Sequence, residues 1–222
     1  MKNARFGLLA VIALCVGLPA CLVPPFSSLQ DARMVGAGHT EVTPFYSSIG
    51  SSSEGQSQHL QDDIGLQALV GVAKWLDLGF RYEYLHHPSS GSQYDESVDA
   101  HVVAAGPKFS LIKDYLALCL PVGFAFGSNV DSASTWEFQP TLLLTIPAAK
   151  HFDINLSGKA LIPLEKGAET YYAANLGFGF QPDGGAMIIR PEAGILFHPG
   201  DPGIDFQFSL GLSFRFGKKA DM

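Results

Sequence analysis

The stretch from Ile64 to Tyr84, IGLQALVGVAKWLDLGFRYEY, constrains the fold more than any other part of the chain. Apolar residues recur there at every second position on either side of a short turn at residues 74–76, which predicts a two-stranded β-hairpin. One face carries large apolar side chains, and the other carries glycine, glutamine and charged residues. Because successive side chains of a strand point in opposite directions, the two faces of this hairpin must meet different surroundings.

The same two-faced pattern returns along the chain and predicts ten strands between residues 39 and 216, most clearly over residues 115–126 and 204–216. An even number of strands places both ends of a meander on one side of the membrane. The predicted connections alternate between short turns and longer polar loops, and residues 50–61 are one of the predicted loops. We therefore predict an all-β fold, a transmembrane antiparallel up-and-down β-barrel of about ten strands.

A soluble barrel with its apolar face turned inward is the alternative fold. The polar face argues against it, because that face is rich in Gly, Ala and Ser and carries charges of both signs. Aromatic residues near the predicted strand ends would suit the two membrane interfaces: Trp75, Tyr82, Tyr84, Tyr115, Trp136 and Tyr172. Prolines inside predicted strands lack an N–H and predict bulges or local breaks at Pro44, Pro121, Pro140 and Pro191.

The first residues are typical of a secretory signal peptide, since Lys2 and Arg5 precede an apolar run over residues 6–18. Residues 18–21, Leu-Pro-Ala-Cys, are similar to the bacterial lipobox, in which the cysteine is acylated and becomes the N-terminus. Two outcomes stay open: lipidation of Cys21, or ordinary cleavage nearby. We divide the chain into a signal peptide (1–20), a periplasmic lead-in that a lipidated Cys21 would anchor (21–38), the barrel (39–216) and a C-terminal tail (217–222).

Charge and cysteine content exclude several functions. The 14 basic residues less Lys2 and Arg5 of the signal peptide leave 12, against 21 acidic residues, so nucleic acid is not expected as a partner. Of the three cysteines, Cys15 lies in the signal peptide. If Cys21 is acylated, Cys119 has no partner and a disulfide framework is excluded.

Assigning the polar face to the lumen places charges of both signs in one interior. Ten strands leave only a narrow lumen, and charges held away from bulk water are costly unless they are paired. We therefore predict a lumen largely filled by a salt-bridged polar network. Its predicted members are Arg81, Glu83, Asp99, His101, Glu137, Asp153, Lys159, Arg190, Glu192, Asp205 and Arg215.

Candidates for catalysis and metal binding are few. The pairs Asp62–Asp63 and His86–His87 could converge at the extracellular rim as a metal site or an Asp/His catalytic site, and Asp99 with His101 could form an acid–base pair. Nothing in the spacing fixes their geometry, and no nucleophile motif accompanies them. We therefore predict no catalytic residues, no metal and no cofactor.

Over residues 29–216 the chain resembles the small outer-membrane β-barrel proteins of Gram-negative bacteria. The resemblance rests on the lead-in LQDARMVGAGHTEVTPFY, the hairpin KWLDLGFRYEY and the phenylalanine-rich last strand. It implies a location in the bacterial outer membrane, with membrane lipid as a partner and an extracellular ligand at the loops as a further expectation. We predict a non-enzymatic structural or surface-interaction role. A porin-like pore for small solutes is the alternative, and a membrane-embedded hydrolase with a rim site is a third candidate.

Overall fold

The computed structural model describes residues 23–53, 56–88, 97–127, 135–182, 186–200 and 203–217. The predicted signal peptide, Cys21 and residues 218–222 of the tail lie outside these ranges. The described strands are β1 (His39–Ser53), β2 (Gln56–Ala73), β3 (Leu76–His87), β4 (Val98–Ile112), β5 (Leu116–Cys119), β6 (Val122–Phe126), β7 (Trp136–Phe138), β8 (Thr141–Ala149), β9 (Phe152–Pro163), β10 (Tyr171–Phe180), β11 (Met187–Phe197) and β12 (Ile204–Gly217).

All of these strands belong to one antiparallel sheet, which closes because β12 pairs with β1. β5 and β6 both pair with β4 and form one crossing of the barrel, while β7 and β8 both pair with β9 and form the next. The twelve strands therefore make ten crossings. The predicted ten-stranded up-and-down barrel is confirmed. No helix in the described part of the chain is long and apolar enough to cross a membrane.

Two prolines cause the two broken crossings. Pro121 separates β5 from β6, and Pro140 separates β7 from β8, as the missing N–H predicts. Hydrogen bonds still join the neighbouring crossings there, since Leu120 N donates to Pro107 O at 2.9 Å and Gln139 N donates to Pro121 O at 2.9 Å.

Pro44 and Pro191 interrupt the sheet less. Each lies inside a strand and leaves a gap in one ladder, Pro44 toward β12 and Pro191 toward β10, while the register on both sides of the gap is unchanged. These two are local breaks without a bulge. The polar loop predicted over residues 50–61 is wrong, because β1 runs to Ser53 and β2 begins at Gln56, with a register shift after Ile49.

The outer wall is an apolar belt. In β2 the exposed Ile64, Leu66 and Val70 alternate with inward residues, and in β12 the exposed Phe208 and Leu210 do the same. An exposed apolar wall around a closed sheet is favourable only in lipid, where every backbone group must also be paired within the sheet. The closed antiparallel barrel with an even number of crossings is the architecture of bacterial outer-membrane proteins.

The two ends of the barrel differ. The connections after β2, β4, β8 and β10, together with the start of β1 and the end of β12, lie at one end, which we call the turn end. The connections after β1, β3, β6, β9 and β11 lie at the other end, which we call the loop end. In outer-membrane barrels short turns face the periplasm and long loops face outward, so the turn end is the one expected to face the periplasm. The aromatic side chains of Trp75 and Tyr115 are exposed at the turn end, and those of Tyr46 and Tyr172 are exposed toward the loop end.

Candidate functional site in the lumen

The lumen is occupied by the N-terminal segment at residues 23–35, which we call the plug. Val23 lies at the loop end, where Gln61 of β2 binds both its N–H and its C=O at 3.0 and 3.1 Å. Val35 lies at the turn end, where its N–H donates to Asp77 Oδ2 at 2.9 Å. The predicted periplasmic position of the lead-in at residues 21–38 is therefore wrong for residues 23–35, which lie in the lumen. A ten-stranded lumen is wider than its own side chains fill, and the plug occupies that space.

A glycine turn connects the plug to the barrel. Gly36 and Gly38 have φ angles of +93° and +77°, a left-handed conformation that glycine adopts without a steric cost. His39 N donates to Gly36 O at 3.0 Å and Gly38 N donates to Gly71 O at 3.1 Å, which closes the turn against β2. The chain thereby reverses direction at the turn end and enters β1.

Apolar contacts hold the plug near the loop end. The Phe26 side chain is fully buried and, with Val23, forms a cluster with Ile49, Leu161 and Leu196 of the inner wall. Burying an aromatic side chain of this size contributes about 1.5–3 kcal/mol. The lumen face of the barrel is therefore not uniformly polar, because its loop end is lined by large aliphatic side chains.

The wall also binds the N–H groups of the plug. The carboxylate of Glu192 accepts hydrogen bonds from Ser28 N at 2.7 Å and Leu29 N at 2.9 Å. Leu29 has a φ of +51°, which is rare for a residue with a side chain and turns the two consecutive N–H groups toward one anion. Further along, Ala32 N donates to Thr145 Oγ1 at 2.7 Å. These bonds replace the internal bonds that a helix or strand would supply.

Basic side chains of the wall bind the C=O groups of the plug. Ser27 O accepts from Arg81 Nη1 and from Lys159 Nζ, both at 2.9 Å. Lys108 Nζ donates to the carbonyl oxygens of Asp31 and Arg33, both at 2.8 Å. The plug has no secondary structure of its own, and charged wall residues satisfy its peptide groups instead.

A four-charge cluster joins the plug to the wall near the turn end. Arg190 Nη2 lies 3.0 Å from Asp31 Oδ2 and 3.0 Å from Glu41 Oε1. Arg215 also reaches both carboxylates, at 2.6 Å from Glu41 and 3.5 Å from Asp31. Two positive and two negative groups are thus balanced in a buried site, which is the arrangement that compensates the cost of removing charges from water. A second ion pair joins Arg33 of the plug to Asp153 of β9.

Most of the side chains that the sequence places in the lumen do lie there. Glu83 pairs with Arg81, Glu137 binds Gln139, and Asp205 lies at an inward position of β12. The sequence-based network missed the wall residues Glu41 and Lys108 and every plug residue. Asp31 could not be found, because it lies in a segment without periodicity and its ion-pair partners, Arg190 and Arg215, follow more than a hundred residues later.

The predicted lumen positions of Asp99 and His101 are wrong, since both side chains lie on the outer wall. Tyr84 Oη donates to Asp99 Oδ1 at 2.8 Å, and Tyr82 Oη lies 2.9 Å from His101 Nδ1. The other face of β4 carries small apolar residues, which pack inside the barrel with Leu85. Because apolar side chains line the lumen beside this strand, polarity does not distinguish the strand's two faces.

The candidate rim site of Asp62, Asp63, His86 and His87 does not assemble. Asp62 and His86 are cross-strand neighbours on the outer wall, whereas the next residues, Asp63 and His87, occupy the opposite face of their strands. Consecutive residues of a strand cannot converge on one ligand, because they point in opposite directions. Within the described ranges, no group of three or more His, Cys, Asp or Glu residues could hold a metal ion.

The chain is similar to solved structures of bacterial outer-membrane barrels. Ail, the attachment invasion locus protein of Yersinia pestis, is 15% identical with a TM-score of 0.40, and the match covers 81% of this chain and 99% of Ail. Neisserial surface protein A is 10% identical (TM-score 0.38, covering 81% and 99%), and OprG from Pseudomonas aeruginosa is 10% identical (TM-score 0.34, covering 85% and 100%). No protein-family model and no curated protein matches the chain. Similarity at this level extends to the general barrel shape and not to activity.

Proposed function

We propose that the protein is a non-enzymatic outer-membrane barrel whose lumen is closed by its own N-terminal segment, and that it acts as a structural or surface-interacting protein. The observation that carries the proposal is the binding of the plug by the inner wall. The apolar cluster around Phe26, the carboxylate of Glu192 and the Arg190 charge cluster hold three successive parts of the plug. A lumen whose charged groups bind its own chain has little room for a diffusing solute.

Planar-bilayer recording of the purified, refolded protein tests this proposal. We expect no stable openings, because the described residues of plug and wall leave only small cavities between them, of about 50 Å³ and about 10 Å³. A variant that lacks residues 23–35 is the matched control for the assay, and we expect it to conduct if it folds. Stable, ion-selective openings in the wild-type protein would instead support the alternative of a small-solute pore.

The pore alternative gains support from one feature of the plug. Apart from the chain connection at residues 36–38, the described contacts of the plug to the barrel are hydrogen bonds, ion pairs and apolar contacts. The plug can therefore leave the lumen without the breaking of a covalent bond. Openings that are rare in the wild type but frequent in variants of the Arg190 cluster would indicate a pore that the plug gates.

The loop end is the proposed surface for extracellular ligands, because it would face away from the cell. Its outer wall carries polar and aromatic side chains next to each other, including the pair His86–Asp99 at 2.7 Å and the ring contacts of His101. Binding of intact cells or lipopolysaccharide to the purified protein, compared with a His101→Ala variant, tests this role. Equal binding by the two proteins would place the ligand away from His101, and no binding by either protein would argue for a purely structural function.

Lipidation of Cys21 and cleavage of a signal peptide at residues 1–20 are further proposals, which rest on the sequence motif alone. Mass spectrometry of the mature protein decides both. If the lipobox is used, the mature N-terminus is a Cys21 that carries acyl chains, and Cys21→Ser abolishes this acylation. An unmodified N-terminus at another residue would exclude the lipoprotein and leave ordinary cleavage.

A further inference from the structure

A small cavity lies inside the lumen, between the plug and the strands β2 to β9. Its volume is about 50 Å³. Arg81, Lys108 and Lys159 line it, and none of the described residues around it is acidic. The cavity therefore has a positively charged lining, although the chain as a whole is acidic.

The two lysines keep unused hydrogen-bond donors there. Lys108 Nζ donates to two plug carbonyls, which leaves one of its three N–H groups without an acceptor. Lys159 Nζ donates to one plug carbonyl, which leaves two. Among the described residues, neither ammonium forms an ion pair with a carboxylate.

Three carboxylates near Lys159 are bound by other groups. Glu83 pairs with Arg81, Glu137 accepts from Gln139, and Glu192 accepts the N–H groups of the plug. Near Lys108, Asp77 accepts from Val35 N through Oδ2, and its buried Oδ1 has no hydrogen-bond partner and forms no ion pair with the lysine. Neither ammonium group therefore contacts a carboxylate in the described part of the chain, and a buried ammonium group without a contacting counter-charge is costly.

Gln67 adds a third donor. Its Oε1 accepts hydrogen bonds from Gln30 Nε2 at 3.2 Å and from Arg81 Nη1 at 3.3 Å. These two bonds fix the orientation of the amide, because a flipped amide would place its NH2 group against two donors. The Nε2 atom is consequently left buried without a partner. The Gln67 side chain is 2% exposed and lines the cavity, so water outside the barrel cannot satisfy this group.

We propose that this cavity binds a small monovalent anion, such as a halide, nitrate or formate ion, between the plug and the wall. The lining supplies N–H donors and positive charge and lacks carboxylates, which selects a ligand that accepts hydrogen bonds and carries negative charge. A volume of about 50 Å³ equals the space of roughly four water molecules, which excludes sugars and nucleotides.

The site requires the plug, because Ser27, Ser28 and Gln30 form one side of the cavity. The inference therefore rests on the closed lumen proposed above. An anion that binds only the closed form stabilises it by mass action, so the stability of the protein should rise with anion concentration and then saturate with the affinity of the site.

Bromide is the probe for the test. Crystals of the full mature chain grown with sodium bromide should show an anomalous peak in the cavity, and the Tm of the refolded protein should rise in sodium bromide relative to sodium gluconate of equal ionic strength. Water density alone in the cavity, together with equal Tm values in the two salts, would overturn the proposal.

Gln67→Glu is the decisive variant, because it keeps the shape of the side chain and places a carboxylate at the cavity. We expect it to fold, to lose the bromide peak and to lose the bromide-dependent rise in Tm. Lys113→Met, which removes an exposed lysine of the turn after β4, is the matched control and should keep both. A bromide response that Gln67→Glu leaves unchanged would exclude the site.

The reactivity of Cys119 separates the two proposals, because this buried thiol lies beside the plug. If Cys119 of the wild type resists a thiol reagent and bromide has no effect, the anion site is excluded and the closed lumen stands. If Cys119 reacts freely in the wild type, both proposals fail.

Discussion

Replacing Arg190 by methionine tests whether the buried charge cluster holds the plug. The Arg190 guanidinium is 2% exposed and binds one carboxylate of the plug, Asp31, and one of the wall, Glu41. Methionine fills similar space without charge, so the change removes one cation and leaves two buried carboxylates with Arg215 as their cation. Arg215 cannot compensate fully, because its side chain is 28% exposed and lies 3.5 Å from Asp31.

The size of the effect follows from the charge balance. Removing one partner of a buried ion pair costs about 3–5 kcal/mol, since the other charge stays buried without compensation. Asp31→Asn should cost less, because it leaves Glu41 paired with both arginines and Arg215 can reach water. The double variant Arg190→Met/Asp31→Asn restores one cation per anion, so we expect it to be more stable than Arg190→Met alone.

Denaturant titration in detergent micelles measures these differences, with tryptophan fluorescence and heat-modifiable gel mobility as two readouts. Both tryptophans, Trp75 and Trp136, are exposed on the barrel and away from the substituted sites. The reasoning would be refuted if Arg190→Met cost less than about 1 kcal/mol or if Asp31→Asn destabilised the Arg190→Met background further. Either result would mean that the four charges do not act as one balanced cluster.

Three further predictions address the apolar belt, the glycine turn between plug and barrel, and the burial of Phe26 of the plug. Leu210→Arg should lower the free energy of unfolding by about 2–4 kcal/mol in a denaturant titration, because Leu210 faces lipid. Leu164→Arg, at a similarly exposed side chain in a connection at the loop end, should lower it by under about 1 kcal/mol, and equal costs would contradict the apolar belt. Gly71→Ala should destabilise the protein by about 1–3 kcal/mol, because a Cβ there would overlap the backbone of Gly36 in the glycine turn between plug and barrel. Gly158→Ala, whose Cβ would meet no atom within 4 Å, should be nearly neutral in the same titration, and the reverse order would contradict the turn geometry. Phe26→Ala should cost about 3–5 kcal/mol and increase the reaction of Cys119 with a thiol reagent, in a protein without other cysteines; an unchanged reaction rate would show that Phe26 does not anchor the plug.

The outer wall could be predicted from the sequence because lipid imposes one requirement on every strand. Each strand must present apolar side chains at alternate positions, and the exposed residues of β2 and β12 follow this rule. The number of crossings followed from the same alternation. The alternation no longer distinguishes the two faces of a strand where the lumen beside it is also apolar. For that reason the sequence predicts the wrong face of β4 for Asp99 and His101.

The plug could not be predicted, because nothing local determines its position. Residues 23–35 have no periodicity, and their backbone partners, such as Glu192 and Lys108, come from distant strands. A segment of this kind is ordered only by the closed barrel around it. The missed charges Asp31 and Glu41 have the same cause, since their pairing depends on arginines that approach only after closure.

Amide hydrogen exchange of the protein in lipid vesicles tests the closed lumen most directly. The N–H groups of Ser28, Leu29 and Ala32 donate to buried side chains of the wall, so they should exchange as slowly as those of the surrounding strands. The exposed connection at residues 164–170 provides the fast reference within the same protein. Slow exchange across the plug is the result that the structure predicts. Exchange of these three amides at the rate of the exposed connection would contradict a plug bound inside the barrel.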